Sequence, residues 1–166
     1  MPSIAVLGLG NTLMRDDGIG ARTIEELARR YALPSNVRLI AGGAPMARLL
    51  AEIDGVDHLI VIDAVQSGHA PGAIHRLTPE QLEAVRPGAC SSHGVGLPDV
   101  VALLTVLGRC PAIRIIGVEA GKANEPGMEL SPPVAAALPR ATAAVVEELR
   151  RLGAVLEERE TDHRHA

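Results

Sequence analysis

The opening of the chain limits its fold more than any other stretch: the apolar run Ile4-Ala5-Val6-Leu7 passes through Gly8-Leu9-Gly10-Asn11 into Asp16-Asp17-Gly18-Ile19-Gly20. A short continuous apolar run bounded by glycine reads as a buried strand. From Ile19 to Tyr31, Ile19, Thr23, Ile24, Leu27 and Ala28 share one face, with Arg22, Glu25, Glu26, Arg29 and Arg30 largely on the other, the spacing of an amphipathic helix. Strand, glycine loop and helix together begin a βα unit, and in open α/β sheets chemistry collects at the carboxyl ends of the strands, where this loop lies. The glycines permit positive φ and close backbone approach, and Asn11 can bond its own loop or a ligand.

The same rhythm repeats. Val37 to Ala41 reads as a strand running into Gly42-Gly43, followed by a helix from Pro45 to Ile53. Leu59-Ile60-Val61-Ile62 is apolar until Asp63, as expected of a parallel strand covered on both faces. Gly72 to Leu77 reads as a short edge strand, and Thr78-Pro79-Glu80-Gln81 opens a helix with Thr78 as N-cap and Gln81 at the capping-box position. A helix over Asp99 to Leu107, a strand over Ile113 to Val118 ending in Glu119, a loop over Ala120 to Glu129 and a helix from Ser131-Pro132-Pro133 to about Leu152 complete the pattern. The expectation is an α/β three-layer sandwich: a mostly parallel, roughly five-stranded sheet near 3–8, 37–41, 58–63, 72–77 and 113–118, with helices on both faces. Residues 1–156 are expected to form a single domain and 157–166 a polar, disordered tail in which His163 and His165 have no function.

Composition excludes several classes. With no Phe or Trp and Tyr31 as the only aromatic residue, the core is aliphatic and base-stacking platforms are missing. A net charge of −4 without a basic block argues against a surface that tracks phosphates, so no nucleic-acid partner is expected. The N-terminus lacks the blocks of a signal peptide and no apolar run reaches membrane-spanning length, which predicts a soluble, cytoplasmic chain with no membrane partner. Cys90 and Cys110 have no Cys-x-x-Cys spacing, so each reads as a small buried residue.

Either Asp16 or Asp17, taken alone, reads as a helix cap that contributes roughly 0.5–2 kcal/mol. Capping uses one acid, and the second points elsewhere. Parallel topology brings the loop after the first strand, Asp63 and Glu119 to one rim, and the small-residue loop around His93 opens on the same rim if its connection is right-handed. Two aspartates and a histidine form an oxygen, oxygen and nitrogen set with open positions, suited to a divalent metal of intermediate softness. The bland alternatives are that Asp63 is a turn residue and His93 an ordinary loop residue. His58, His69 and His75 read as surface or edge residues, and Cys90 lacks the second base or cysteine that a thiolate ligand or nucleophile would need.

Gly8-Leu9-Gly10-Asn11 through Asp16-Asp17-Gly18-Ile19-Gly20, the strand-end Asp63-Ala64, Ser91-Ser92-His93 with Leu97, Ile116-Gly117-Val118-Glu119 and Leu130-Ser131-Pro132 together resemble the nickel–iron hydrogenase maturation endopeptidases, in the family's order over about 130 residues. That resemblance implies an enzyme that removes the C-terminal extension of a hydrogenase large-subunit precursor once nickel has been installed. It also implies that Asp17, Asp63 and His93 bind metal and carry catalysis, whereas Asp16 matches a preceding acid that is not a ligand. The nickel would be the substrate's own, held by precursor cysteines, with no permanently bound cofactor, and the enzyme would act as a monomer. The metal would polarise the carbonyl or activate water, with a carboxylate as base.

One segment departs from the pattern: Ala41-Gly42-Gly43-Ala44 stands where the family commonly has Asp-Gly-Gly-Thr. The departure keeps open a chaperone that binds the nickel site without cutting. A peptidyl-tRNA hydrolase-like reading fits Gly8-Leu9-Gly10-Asn11 but not Thr12, which stands where that family has proline, nor the missing early His-Asn pair. A dinucleotide-binding loop fails because its third glycine would fall on Leu13.

Overall fold

The computed structural model describes residues 1–85 and 96–160. The opening apolar run forms β1 (Ile4–Gly8), buried throughout. A turn of 3-10 helix at Arg15–Gly18 leads into α1 (Ile19–Arg30), then β2 (Tyr31–Ala32), β3 (Val37–Ala41), α2 (Met46–Ile53), β4 (His58–Val65) and β5 (Ile74–Leu77). There follow α3 (Pro79–Val85), α4 (Leu97–Val106), β6 (Ala112–Glu119), α5 (Pro132–Arg151) and β7 (Glu157–Glu158). The main sheet has the order β3-β1-β4-β6-β5, parallel except for β5, which runs antiparallel on the edge of β6. This is the mostly parallel five-stranded sheet that the apolar runs predict.

Alternation along the strands sorts the core into two faces. Ile60 and Ile62 of β4 pack with Ile24 and Leu27 of α1 and with Val145 and Leu149 of α5. Leu59, Val61 and Val65 point the other way, against Leu49 and Ile53 of α2, Leu82 of α3 and Val100 and Leu104 of α4. Helices cover both faces, which is why β4 is apolar without alternation. From β1 the chain passes through α1 to β3, then crosses back through α2 to β4 on the other side of β1. Strand order therefore reverses at β1, and the carboxyl ends of β1 and β4 flank the switch point at which open α/β sheets bind their ligands.

Local signals behave as their chemistry dictates. The amide of Thr78 donates to Oε1 of Gln81 (2.9 Å) and the amide of Gln81 to Oγ1 of Thr78 (3.3 Å), a reciprocal capping box. Pro132 and Pro133 occupy the first turn of α5, where no amide is needed.

Three expectations need correction. Asp63 does not end its strand: β4 continues to Val65, which pairs with Glu119, because β6 is itself eight residues long. Glu157 and Glu158, expected in a disordered tail, form β7 and pair antiparallel with Tyr31 and Ala32. Arg159 extends the attachment, its amide donating to the carbonyl of Arg30 (2.7 Å) and Nε to that of Tyr31 (3.1 Å). Residues 161–166, with His163 and His165, lie outside the described residues. Cys110 is exposed rather than buried, and Cys90 lies outside the described residues. Among the described residues no helix is long and apolar enough to cross a membrane.

Candidate active site

The loop after β1 is shaped by two glycines that have no substitute. Gly10 has φ of 104°, and a Cβ there would lie 1.9 Å from the carbonyl oxygen of Asp17. A Cβ on Gly20 would lie 2.4 Å from the carbonyl oxygen of Leu9 and 2.5 Å from that of Ile62, so the bare backbone lets α1 seat directly on β1 and β4. The amide of Leu9 donates to the carbonyl of Ile62 (2.9 Å), one residue before Asp63. The loop is thus joined to the strand that carries the next acid.

Neither Asp16 nor Asp17 caps α1, whose N-cap is Gly18 with no side-chain hydrogen bond. Asp16 is fully buried. Its Oδ2 accepts the amides of Gly121 (2.9 Å) and Lys122 (2.7 Å) and the hydroxyl of Ser131 (2.7 Å), while Oδ1 accepts the amide of Ser131 (2.7 Å). Burial pushes its carboxyl pKa up, but the donors from Ser131, Lys122 and Gly121 together outweigh burial and hold it below the usual carboxylate range. Arg15 and Gly127 add backbone bonds to the same seam: the amide of Arg15 donates to the carbonyl of Gly127 (2.8 Å), and that of Gly127 to the carbonyl of Leu13 (2.9 Å). Asp16 therefore belongs to the scaffold that locks the 120–131 loop against the loop after β1.

Asp17 is half-buried, and its Oδ2 accepts the amide of Asn11 at 2.7 Å. Asn11 is itself fixed, its Oδ1 accepting the amide of Leu13 at 2.9 Å. Asp63 is 2% exposed and pairs in register with Gly117 of β6. Its neighbours by alternation, Val61 and Val65, place it on the face of α2 and α4. Asp17, in the turn that follows β1, and Asp63, two residues before the end of β4, thus both lie toward the carboxyl edge of two adjacent strands, the edge where strand order reverses. His93 lies outside the described residues, as do Ser91 and Ser92.

Glu119, expected on the same rim, is buried at the end of β6 and fully engaged. Its Oε1 accepts the amides of Ser67 (2.7 Å) and Gly68 (3.0 Å), and its Oε2 the hydroxyl of Ser67 (2.7 Å), with Nε2 of His75 at 3.2 Å. Burial pushes its pKa up, but the Ser67 hydroxyl and amide, His75 and Gly68 hold it below its ordinary value. His69 joins through Nδ1, 2.9 Å from Oγ of Ser67, and its ring stands edge-on to that of His75 with centroids 4.8 Å apart. His69 is exposed and His75 lies on the edge strand β5, as the sequence suggests, but both engage the cluster around Glu119, which the sequence does not show. The antiparallel return of β5 places His75 opposite Gly117, a pairing invisible in residue spacing.

The hydrogenase maturation protease family model, HycI, matches residues 21–148 of the chain. The Escherichia coli (strain K12) hydrogenase 2 maturation protease is 37% identical over 162 residues, which span 96% of this chain and 98% of that one. The chain belongs to the hydrogenase maturation protease family. The Rhodobacter capsulatus hydrogenase expression/formation protein HupD is also 37% identical, over 152 residues covering 90% of this chain and 72% of the relative. Among solved structures, the hydrogenase maturating endopeptidase HybD from E. coli superposes with a TM-score of 0.84 at 36% identity, covering 95% of this chain and 98% of that chain. The [NiFe] hydrogenase maturation protease HybD from Thermococcus kodakarensis superposes with a TM-score of 0.67 at 25% identity, covering 89% and 98%. The chain is an endopeptidase of hydrogenase maturation.

For a maturation protease, the altered segment after β3 retains one structural duty. The amide of Gly42 donates to the carbonyl of Gly8 (2.7 Å), and a Cβ on Gly42 would lie 2.4 Å from that oxygen. Gly42 is kept because β3 turns against the end of β1. Ala41 is exposed, while Ala44 is half-buried and packs against the core cluster of β4, α2 and α4.

Proposed function

We propose that this maturation endopeptidase removes the C-terminal extension of a nickel-loaded hydrogenase large-subunit precursor, and that the substrate's nickel is the feature it recognises. Asp17, Asp63 and His93 complete the coordination of that nickel and set the scissile peptide beside it. The observation that carries the reading is the division of labour between adjacent acids. Asp16 is saturated by four donors inside the scaffold, which leaves Asp17 half-buried in a turn that packs against β4, the strand of buried Asp63.

Two carboxylates and an imidazole, without a thiolate, hold nickel weakly unaided. Precursor cysteines supply the soft ligands, so cutting waits until the metal is in place. Nickel held in this way polarises the scissile carbonyl or activates a water, with a carboxylate taking the proton. The purified chain accordingly carries no tightly held metal, and it meets its precursor as a monomer.

Incubation with a nickel-loaded precursor, followed by intact-mass measurement, tests the reading. The expected result is loss of the precursor's C-terminal segment by the parent chain and no loss with His93→Ala, whose melting temperature stays near that of the parent. Normal cutting by His93→Ala removes the histidine from the mechanism. Ala41 and Ala44 favour a second reading, a chaperone that binds the loaded precursor without cleavage; a stable complex with unchanged precursor mass would establish it.

A further inference from the structure

We infer that His69, His75 and Glu119 form a second, exchangeable binding site for a divalent transition metal such as Zn²⁺ or Ni²⁺, built from the loop after β4, the edge strand β5 and the end of β6. The ligating atoms of these three residues all lie within 4.8 Å of one another, and they are the one such group of histidine, cysteine, aspartate and glutamate among the described residues. Ligands held tetrahedrally at about 2.0–2.2 Å from zinc stand roughly 3.3–3.6 Å apart. Nε2 of His75 and Oε2 of Glu119 are already 3.2 Å apart. Movement of the His69 ring by about an ångström completes the set, and that ring sits on an exposed loop residue that can move.

The surroundings of Glu119 resemble those that orient metal ligands. Two backbone amides, of Ser67 and Gly68, fix Oε1 and leave Oε2 turned toward His75. The Ser67 hydroxyl touches both Oε2 of Glu119 and Nδ1 of His69, so one side chain orients two of the three ligands. Two imidazoles and a carboxylate are a recurring zinc set and suit nickel as well. On binding, the metal takes the place of the proton between Nε2 of His75 and Oε2 of Glu119, and the imidazole proton resides on Nδ1. The ligand burial grades from Glu119 inside to His69 outside, which leaves the remaining position open to water and lets a chelator remove the metal.

This site is independent of the nickel-docking reading, because it shares no residue with Asp17, Asp63 and His93. Chelator-stripped full-length chain is titrated calorimetrically with Zn²⁺ alone and with Ni²⁺ alone, beside the His69→Ala/His75→Ala, His93→Ala and His163→Ala/His165→Ala variants. The parent is expected to bind one equivalent with a micromolar Kd. The His69/His75 double variant should weaken that equivalent by tenfold or more, while the other two variants retain it. Should the double variant unfold, His75→Gln replaces it: its amide can still bond Glu119, so the fold is kept while affinity falls. The proposal is overturned if the parent binds no metal, if the double variant binds like the parent, or if the equivalent disappears with His93 or with the two tail histidines. In each of those cases His69, His75 and Glu119 are a hydrogen-bonded clamp and nothing more.

Discussion

Asp16 and Asp17 are neighbours in the chain with different surroundings, because the turn of 3-10 helix sends one inward and leaves the other half-buried. Asp16→Asn replaces a charged acceptor of four hydrogen bonds with an amide that cannot accept them all; a loss of about 1–3 kcal/mol is expected in urea unfolding. Asp17→Asn keeps an oxygen that can accept the single bond from Asn11 and removes only the charge, so it should unfold close to the parent, yet fail to cleave the precursor. If both variants are equally stable, the division between scaffold acid and working acid is wrong. The pH dependence follows from the same bonds. The folded-state pKa values of Asp16 and Glu119 lie below their unfolded values, so their contribution is complete above the unfolded carboxylate range near pH 4–5 and is lost as pH falls through the folded values. Stability measured from pH 6 to pH 3 should therefore decline, and Asp16→Asn should decline less steeply. That two acids had separate roles was legible from capping chemistry, which needs only one. Which of them faced inward was not, because the donors to Asp16 come from residues more than a hundred positions away. The same separation hid the partners of Glu119: neither histidine lies in a motif, and only the return of β5 brings His75 beside it.

At the scale of elements, α1 docks without a side chain at its point of closest approach. Gly20→Ala drives a methyl group into two carbonyl oxygens, and relieving the clash by backbone movement should cost about 1–3 kcal/mol or more. Thr78→Ala removes half of the capping box on α3 and should cost about 1 kcal/mol, a contrast readable in one denaturation series. If Gly20→Ala melts like the parent, the close seating of α1 on β1 and β4 does not hold. Helices and parallel strands were legible because each is a local pattern: period 3.6 with turn residues at its ends, or an unbroken apolar run. What local pattern could not show was pairing. β2 and β7 are two residues each, and Glu157 and Glu158 are charged, so nothing in their composition distinguishes a strand from a polar tail. Truncation after Leu156 should lower the melting temperature further than truncation after Glu160, since the first removes the pairing with Tyr31 and the bonds from Arg159 while the second leaves both.

For the whole molecule, the order β3-β1-β4-β6-β5 sets where recognition is expected, because it puts the switch point at the carboxyl ends of β1 and β4. Asp17 comes to that edge of the sheet from the turn after β1 and Asp63 from β4, so only the pairing of β1 with β4 brings their segments together. A substrate that brings its own metal supplies what such an edge lacks, namely a cation for the acids and soft ligands to retain it. Affinity for the precursor should then depend on nickel occupancy rather than on the area of protein contact. Direct binding measurements with Asp17→Asn, which should fold normally, separate the two contributions. The parent is expected to hold the nickel-loaded precursor at least tenfold more tightly than the nickel-free form, and the variant should hold both forms alike. Equal affinity of the parent for both forms would place recognition in the protein surface and reduce Asp17 and Asp63 to bystanders in docking.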